Sequence, residues 1–311
     1  MTIAGSTDCV PIDQATSLRR LVRSVQAGCK VNQSVKRAHI VSVSSGKGGV
    51  GKTNLAVNLC IALSKLGLRV TLLDADLGLA NADVICGLTV TGNLGHVING
   101  KRNLEEISVS APGGFMLIPG ASGVVNASDP DSRDCDRLLT AMGQLENESD
   151  LIVIDTGAGN GRVVRTFMAS ADLCLVVTTP EPPAITDAYA LIKTTIGQDS
   201  FQRQEIKRLS LVVNQAGSET EARNVYERIS AVSRKFLGRE IEFAGWLPHD
   251  EVVRKSVKQR LPFTIAAPKR NISLKIDQIA QWIVPSAENG EEERIKKSWG
   301  VTLRRLLTGS V

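Results

Sequence analysis

Aromatic side chains are scarce: Phe, Trp and Tyr together make up 4% of the 311 residues. That argues against a platform for single-stranded nucleic acid, on which successive bases stack against aromatic faces. No apolar run approaches the ~20 residues that cross a bilayer. Residues 1–11 have neither the basic start nor the apolar core of a secretory signal. The six cysteines (Cys9, Cys29, Cys60, Cys86, Cys135, Cys174) never fall at CxxC spacing, so a carrier of electrons or metal built on cysteine pairs is not expected. Several lie in apolar runs, as core thiols do in a reducing compartment. His39, His96 and His249 show no metal spacing, and no Ser–His–Asp or Cys–His arrangement is suggested. Internal repeats and low-complexity stretches are absent. The expected location is the cytoplasm, with at most a surface attachment to membrane.

What is present fits an ordinary globular protein: 42% hydrophobic and 22% charged residues. The length suits one large α/β domain or two small ones. The net charge of +5 is unevenly spread. Residues 1–39 hold six Lys/Arg against two acids, and residues 294–311 hold five against none. Such ends suit an acidic partner, a membrane surface or nucleic acid, or merely keep the chain soluble.

Three segments are expected. Residues 1–37 contain one helical stretch, 12–25, in which Ala15, Leu18, Leu21, Val22 and Val25 recur at helical spacing. Residues 38–285 form the body. Its apolar runs at 39–44, 70–73, 115–118, 151–154, 173–178 and 210–213 read as buried parallel strands, with helical patterns between them at 54–66 and 183–196. The fold class that follows is α/β: a doubly wound, mostly parallel sheet with helices on both faces. Residues 286–311 are a polar acidic linker followed by a basic amphipathic stretch.

Ligands of such sheets bind outside the carboxyl ends of the strands, and each motif falls just after a strand. Residues 46–53 read GKGGVGKT, matching GxxxxGK[ST] between a strand and a helix. Glycines let backbone N–H groups turn toward phosphate, and the helix adds its N-terminal dipole. Gly48, Gly49, Val50, Gly51, Lys52, Thr53 and Asn54 are the expected cradle. Lys52 reaches the β/γ-phosphates, and the Thr53 hydroxyl ligates Mg²⁺. A second lysine, Lys47, is free to project from the rim. Asp74 and Asp76, one residue apart after the strand at 70–73, both reach the space beside the phosphates, although one of them capping a helix is the plainer alternative. Asp155 ends an apolar run and is the expected Mg²⁺ carboxylate of a Walker B strand. Asn214 follows the strand at 210–213. Its amide suits an adenine edge, or it is a turn residue; the absence of NKxD favours ATP over GTP.

KGGVGKT resembles the deviant Walker A signature of the MinD/ParA family, and the resemblance covers nearly the whole chain from Asp13 onward. It implies an ATPase whose early lysine, here Lys47, acts across a face-to-face homodimer formed with ATP. It also implies that Asp76 positions the attacking water, with Asp74 contacting the signature lysine and the metal shell. Pro248 and Asp250 occupy the place where the family's backbone borders the base. Within the family, DADLGLANADVICGL, DTGAG and TTPEPPAITDAYALIK look most like the flagellar-number regulators FlhG/FleN. MinD usually has a proline where this chain has Gly157. ParA usually reads DxDPQ where this chain has Leu77, Gly78 and Leu79, so DNA partition is disfavoured.

That resemblance implies further partners. The DQATSLR element (Asp13, Gln14, Ala15, Leu18, Arg19) is similar to one by which these regulators stimulate the GTPase FlhF, though a helix packed on the body is the plainer reading. A flagellar transcription factor or a C-ring component is a further possible partner. In the tail, Ile295, Trp299, Leu303, Leu306 and Leu307 share one helical face flanked by Lys and Arg, which suits reversible binding to an anionic membrane. The same face packing on the body is the alternative. MinD-like division-site selection and ParA-like DNA or cargo segregation are the competing functions.

Overall fold

Apolar runs rich in Val, Ile and Leu form the strands, because a strand covered on both faces has no polar side to show water. The computed structural model describes residues 37–76, 80–121, 143, 145–196 and 208–289. The chain divides between Val35 and Lys36 into two units, and only the second contains described residues. Its strands are β1 (His39–Ser45), β2 (Val70–Ala75), β3 (Val109–Ser110), β4 (Met116–Ile118), β5 (Leu151–Ala158), β6 (Leu173–Thr178), β7 (Leu209–Ala216) and β8 (Glu242–Pro248). They lie in the order β3-β4-β2-β5-β1-β6-β7-β8, parallel throughout except for the β3–β4 pair.

Alternate residues of each strand enter opposite layers of core. Ile152 and Ile154 face the layer containing Val164, Phe167 and Leu191. Leu151 and Val153 face the layer containing Leu55, Leu59 and Ile276. The helices of these layers are α1 (Lys52–Lys65), the short α2 (Ala82–Ile85), α3 (Leu94–Ile98) and α4 (Leu104–Ile107), then α5 (Arg162–Ser170), α6 (Pro182–Ile196), α7 (Glu219–Leu237), α8 (Glu251–Gln259), α9 (Phe263–Ala266) and α10 (Asn271–Asn289). α7 starts and stops on local signals. The Ser218 hydroxyl accepts from the Glu221 N–H at the head of α7, and Gly238 at φ 62° ends it.

Three elements differ from the sequence reading: the two-residue β3, too short to leave a pattern, β8 and α10. β8 was not anticipated, because its edge position leaves its residues only half-buried and its apolar pattern weak. α10 continues through Asn289, past the boundary expected at Pro285. Ile272, Ile276, Ile279 and Ile283 are buried along one stripe ahead of Pro285 and hold the helix on the sheet.

Candidate nucleotide site

The loop between β1 and α1 is fixed by close approaches as well as by sequence. A Cβ on Gly46 would lie 2.1 Å from the Asp187 carbonyl oxygen on α6, so only glycine fits. Gly51 has φ 92°, and a Cβ there would meet the Asn214 amide nitrogen at 2.4 Å. The Asn214 side chain donates to the Val50 carbonyl at 2.7 Å and accepts from the Gln215 N–H at 2.9 Å. Asn214 therefore braces the phosphate loop from β7. Half of its hydrogen-bonding capacity is spent on protein, which the sequence reading did not foresee. α1 begins with no side-chain cap and no acid in its first turn. Its leading N–H groups are left for an anion. Lys52, in that turn, is 7% exposed.

Two carboxylates stand side by side on β2 and β5, where Asp74 and Asp155 are register partners. β5 lies next to β1, so both sit beside the phosphate loop. Each residue is 1% exposed. Neither Asp155 oxygen has a hydrogen-bond partner among the described residues. Burial, and then Asp74, push its pKa up to about 7 against the opposing pull of Thr53 and Lys52. Burial also raises Asp74, to about 6, although backbone N–H groups hold its charged form. Those donors are Asp76 at 3.2 Å and Asn81 and Ala82 at 3.1 Å. Asp74 thus accepts from the backbone at the head of α2. Asp76 lies beside Gly157 at the end of β5: a Cβ on that glycine would be 3.6 Å from Asp76 Oδ1. A buried carboxylate with unused oxygens, next to a threonine hydroxyl, is the donor set that a hard divalent cation takes.

A cavity of about 240 Å³ opens beyond Gly51, lined by Asn54, Asn214, Gln215, Pro248 and Asp250 among others. It brings together the residues expected to border the base. Asp250 is spent elsewhere: its carboxylate caps α8 through the Val252 N–H at 2.9 Å and pairs with Arg270 at 2.8 Å. Arg270 holds it below the usual carboxylate range. Gln215, His249 and Arg254 also line the cavity and were missed, since no spacing signal marks them. Lys47 projects from the rim, its Nζ 3.1 Å from Glu181 Oε2, with both side chains largely open to water. Asp13, Gln14, Ala15, Leu18 and Arg19 lie outside the described residues, as do Ile295, Trp299, Leu303, Leu306 and Leu307.

Residues 36–284 match the family model ParA, described as NUBPL iron-transfer P-loop NTPase. The chain belongs to the ParA/MinD family of P-loop ATPases. Among the described residues no group of three or more His, Cys, Asp or Glu is placed to hold a metal ion. Cys60, Cys86 and Cys174 are buried free thiols. Two curated relatives cover most of this ParA/MinD ATPase. Antiactivator FleN from Pseudomonas aeruginosa is 38% identical over 264 residues, 84% of this chain and 92% of FleN. Flagellum site-determining protein YlxH from Helicobacter pylori is 36% identical over 269 residues, 86% of this chain and 89% of YlxH. A chain of the MinC:MinD cell division protein complex from Aquifex aeolicus superposes with a TM-score of 0.64 at 27% identity, covering 80% of this chain and 96% of that one.

Proposed function

We propose that this ATPase is a switch for flagellar number or placement, in which ATP and Mg²⁺ favour a face-to-face homodimer. The Lys47 side chain carries the reading: it is 39% exposed and its ammonium pairs with Glu181 at the surface, which leaves it open to a second copy. The likeness to FleN and YlxH over most of all three chains supports the flagellar role. In each protomer Lys52 and the first turn of α1 bind the phosphates, while Thr53 and Asp155 are the residues to hold Mg²⁺. Mg²⁺, when bound, neutralises charge on the phosphoryl oxygens. Asp76 orients water for attack on the γ-phosphate, and Asp74 keeps the turn carrying Asp76 in place. Lys47 from the opposite protomer adds positive charge where charge develops.

Light scattering with ADP and with ATP tests the switch. Wild type is expected to dimerise with ATP alone, and Asp76→Ala to bind ATP, hydrolyse it poorly and accumulate as dimer. Lys47→Ala should keep monomer nucleotide affinity and dimerise weakly. Dimerisation of Lys47→Ala at wild-type ATP concentrations removes the role in trans.

Both ends of the chain extend the proposal to partners: an FlhF-like GTPase stimulated through residues 13–19, an anionic membrane bound by the tail, and a flagellar transcription factor or C-ring component. Location would then be cytoplasmic, with reversible attachment to the inner face of the cell membrane. Two truncations check the ends. Loss of residues 1–30 should spare ATP hydrolysis and abolish GTPase stimulation, and a chain ending at Glu293 should stay in the supernatant when ATP and anionic liposomes pellet the full protein. Unchanged stimulation or unchanged pelleting rejects the corresponding partner.

A further inference from the structure

β7 breaks its own geometry where it reaches the cavity. Every residue from Leu209 to Asn214 is buried, and Ala216 is buried again, while Gln215 between them is exposed. The pairing with β8 slips between Val213 and Ala216. Gln215 takes φ 58°, left-handed backbone that residues with a Cβ disfavour. Among the described residues, Arg260 is the other non-glycine with positive φ, and it ends α8 in a common helix-terminating conformation. Gln215 ends no helix. The N–H of this left-handed residue holds the Asn214 amide, and its side chain is left at the wall of a cavity, where backbone strain marks a candidate functional position.

Most of the polar groups around it already have partners in the protein. Asn214 is fixed to Val50 and to the Gln215 N–H. Asp250 is held by Val252 and Arg270. Pro248 has no donor to offer. His249 and Arg254 lean toward Glu251, and Asn54 sits in the first turn of α1 on the phosphate side. The Gln215 carboxamide makes no side-chain hydrogen bond among the described residues, and it lines the cavity. It offers one donor and one acceptor side by side.

We propose that Gln215 is the residue that selects adenine, its carboxamide pairing with the N6/N7 edge of the base. Adenine presents a donor and an acceptor there, which a carboxamide matches in full; a 6-oxopurine presents two acceptors, one of which meets the amide oxygen. The inference rests on the reading of this cavity as the base site of an ATP switch. It adds the group that makes that site selective.

Displacement of a fluorescent ADP analogue from the full-length protein by ATP or ITP tests it, since inosine replaces the N6 amino donor of adenosine by an O6 acceptor, with a proton on the adjacent N1, and leaves N7 unchanged. Wild type is expected to favour ATP. Gln215→Ala should cut the ATP:ITP preference by about tenfold. Gln215→Arg, with two donors, should shift preference toward ITP and GTP. Gln215→Gly should lose selectivity as the alanine variant does while melting no lower than wild type, because glycine accepts the backbone. An unchanged ATP:ITP ratio in Gln215→Ala overturns the proposal. So does an equal loss of affinity for both nucleotides, which would mean that the side-chain stem merely packs on the base. Wild type that binds ATP and ITP equally defeats the adenine-selective site itself, a failure distinguishable from that of Gln215 alone.

Discussion

Lys52→Ala is expected to bind ATP at least about thirtyfold more weakly than wild type, because truncating a buried charge that meets an opposite charge costs roughly 2–5 kcal/mol. Lys52 is 7% exposed in the first turn of an uncapped helix, so little else supplies full positive charge there. The same substitution removes one of the two neighbours that hold Asp155 in its charged form. The variant should therefore also respond less to Mg²⁺ with ATP. Titration calorimetry reads the affinity, and a thermal melt without ligand reads the fold. A variant that melts like wild type and binds ATP equally well would remove Lys52 from the phosphate site.

Asp155→Asn should weaken the effect of pH on the metal-free protein. Burial and Asp74 raise Asp155 from the ordinary carboxylate value of 3.8 to about 7. The folded chain then binds more protons than the unfolded chain between those values, so stability falls as pH rises through that window. Asp74, raised to about 6, adds a loss of the same sign over a narrower range. An amide at position 155 stays neutral. At pH 8 without metal, Asp155→Asn should exceed wild type by an amount on the order of a few kcal/mol, since each pKa unit is worth about 1.4 kcal/mol. The variant should also lose the extra thermal stabilisation that Mg²⁺ gives ATP. In wild type that extra stabilisation grows from pH 5 to pH 8, as no proton has to leave. Melting curves across that range decide it: an Asn variant less stable than wild type at pH 8 without metal contradicts the buried, unpartnered carboxylate.

The chemistry-bearing residues were readable because each follows a buried strand directly. Asp74 ends the apolar part of β2, Asp155 that of β5, Asn214 that of β7, and the glycine loop follows β1. A strand covered on both faces writes a continuous apolar run, and its end shows in one dimension. What stayed hidden depends on approaches between distant segments. Nothing near Asn214 says that its amide will reach Val50, 164 residues away in sequence. Glu181 meets Lys47 because β6 lies beside β1, a fact of strand order. β8 was invisible for the opposite reason, since an edge strand beginning Glu-Phe-Ala-Gly carries too little apolar pattern to announce itself.

The Lys47–Glu181 pair also sets how often the lysine is available to a second copy. Exposed pairs of this kind are worth at most about 1 kcal/mol. A latch that weak is open on the order of a sixth of the time or more. Gly46, one residue earlier, abuts the Asp187 carbonyl, a contact that does not involve the latch. If two copies meet face to face as proposed, an arriving copy would find the lysine already released in a substantial fraction of encounters, so the latch would slow docking by less than about tenfold, and the lifetime of the pair would depend on what forms across the interface.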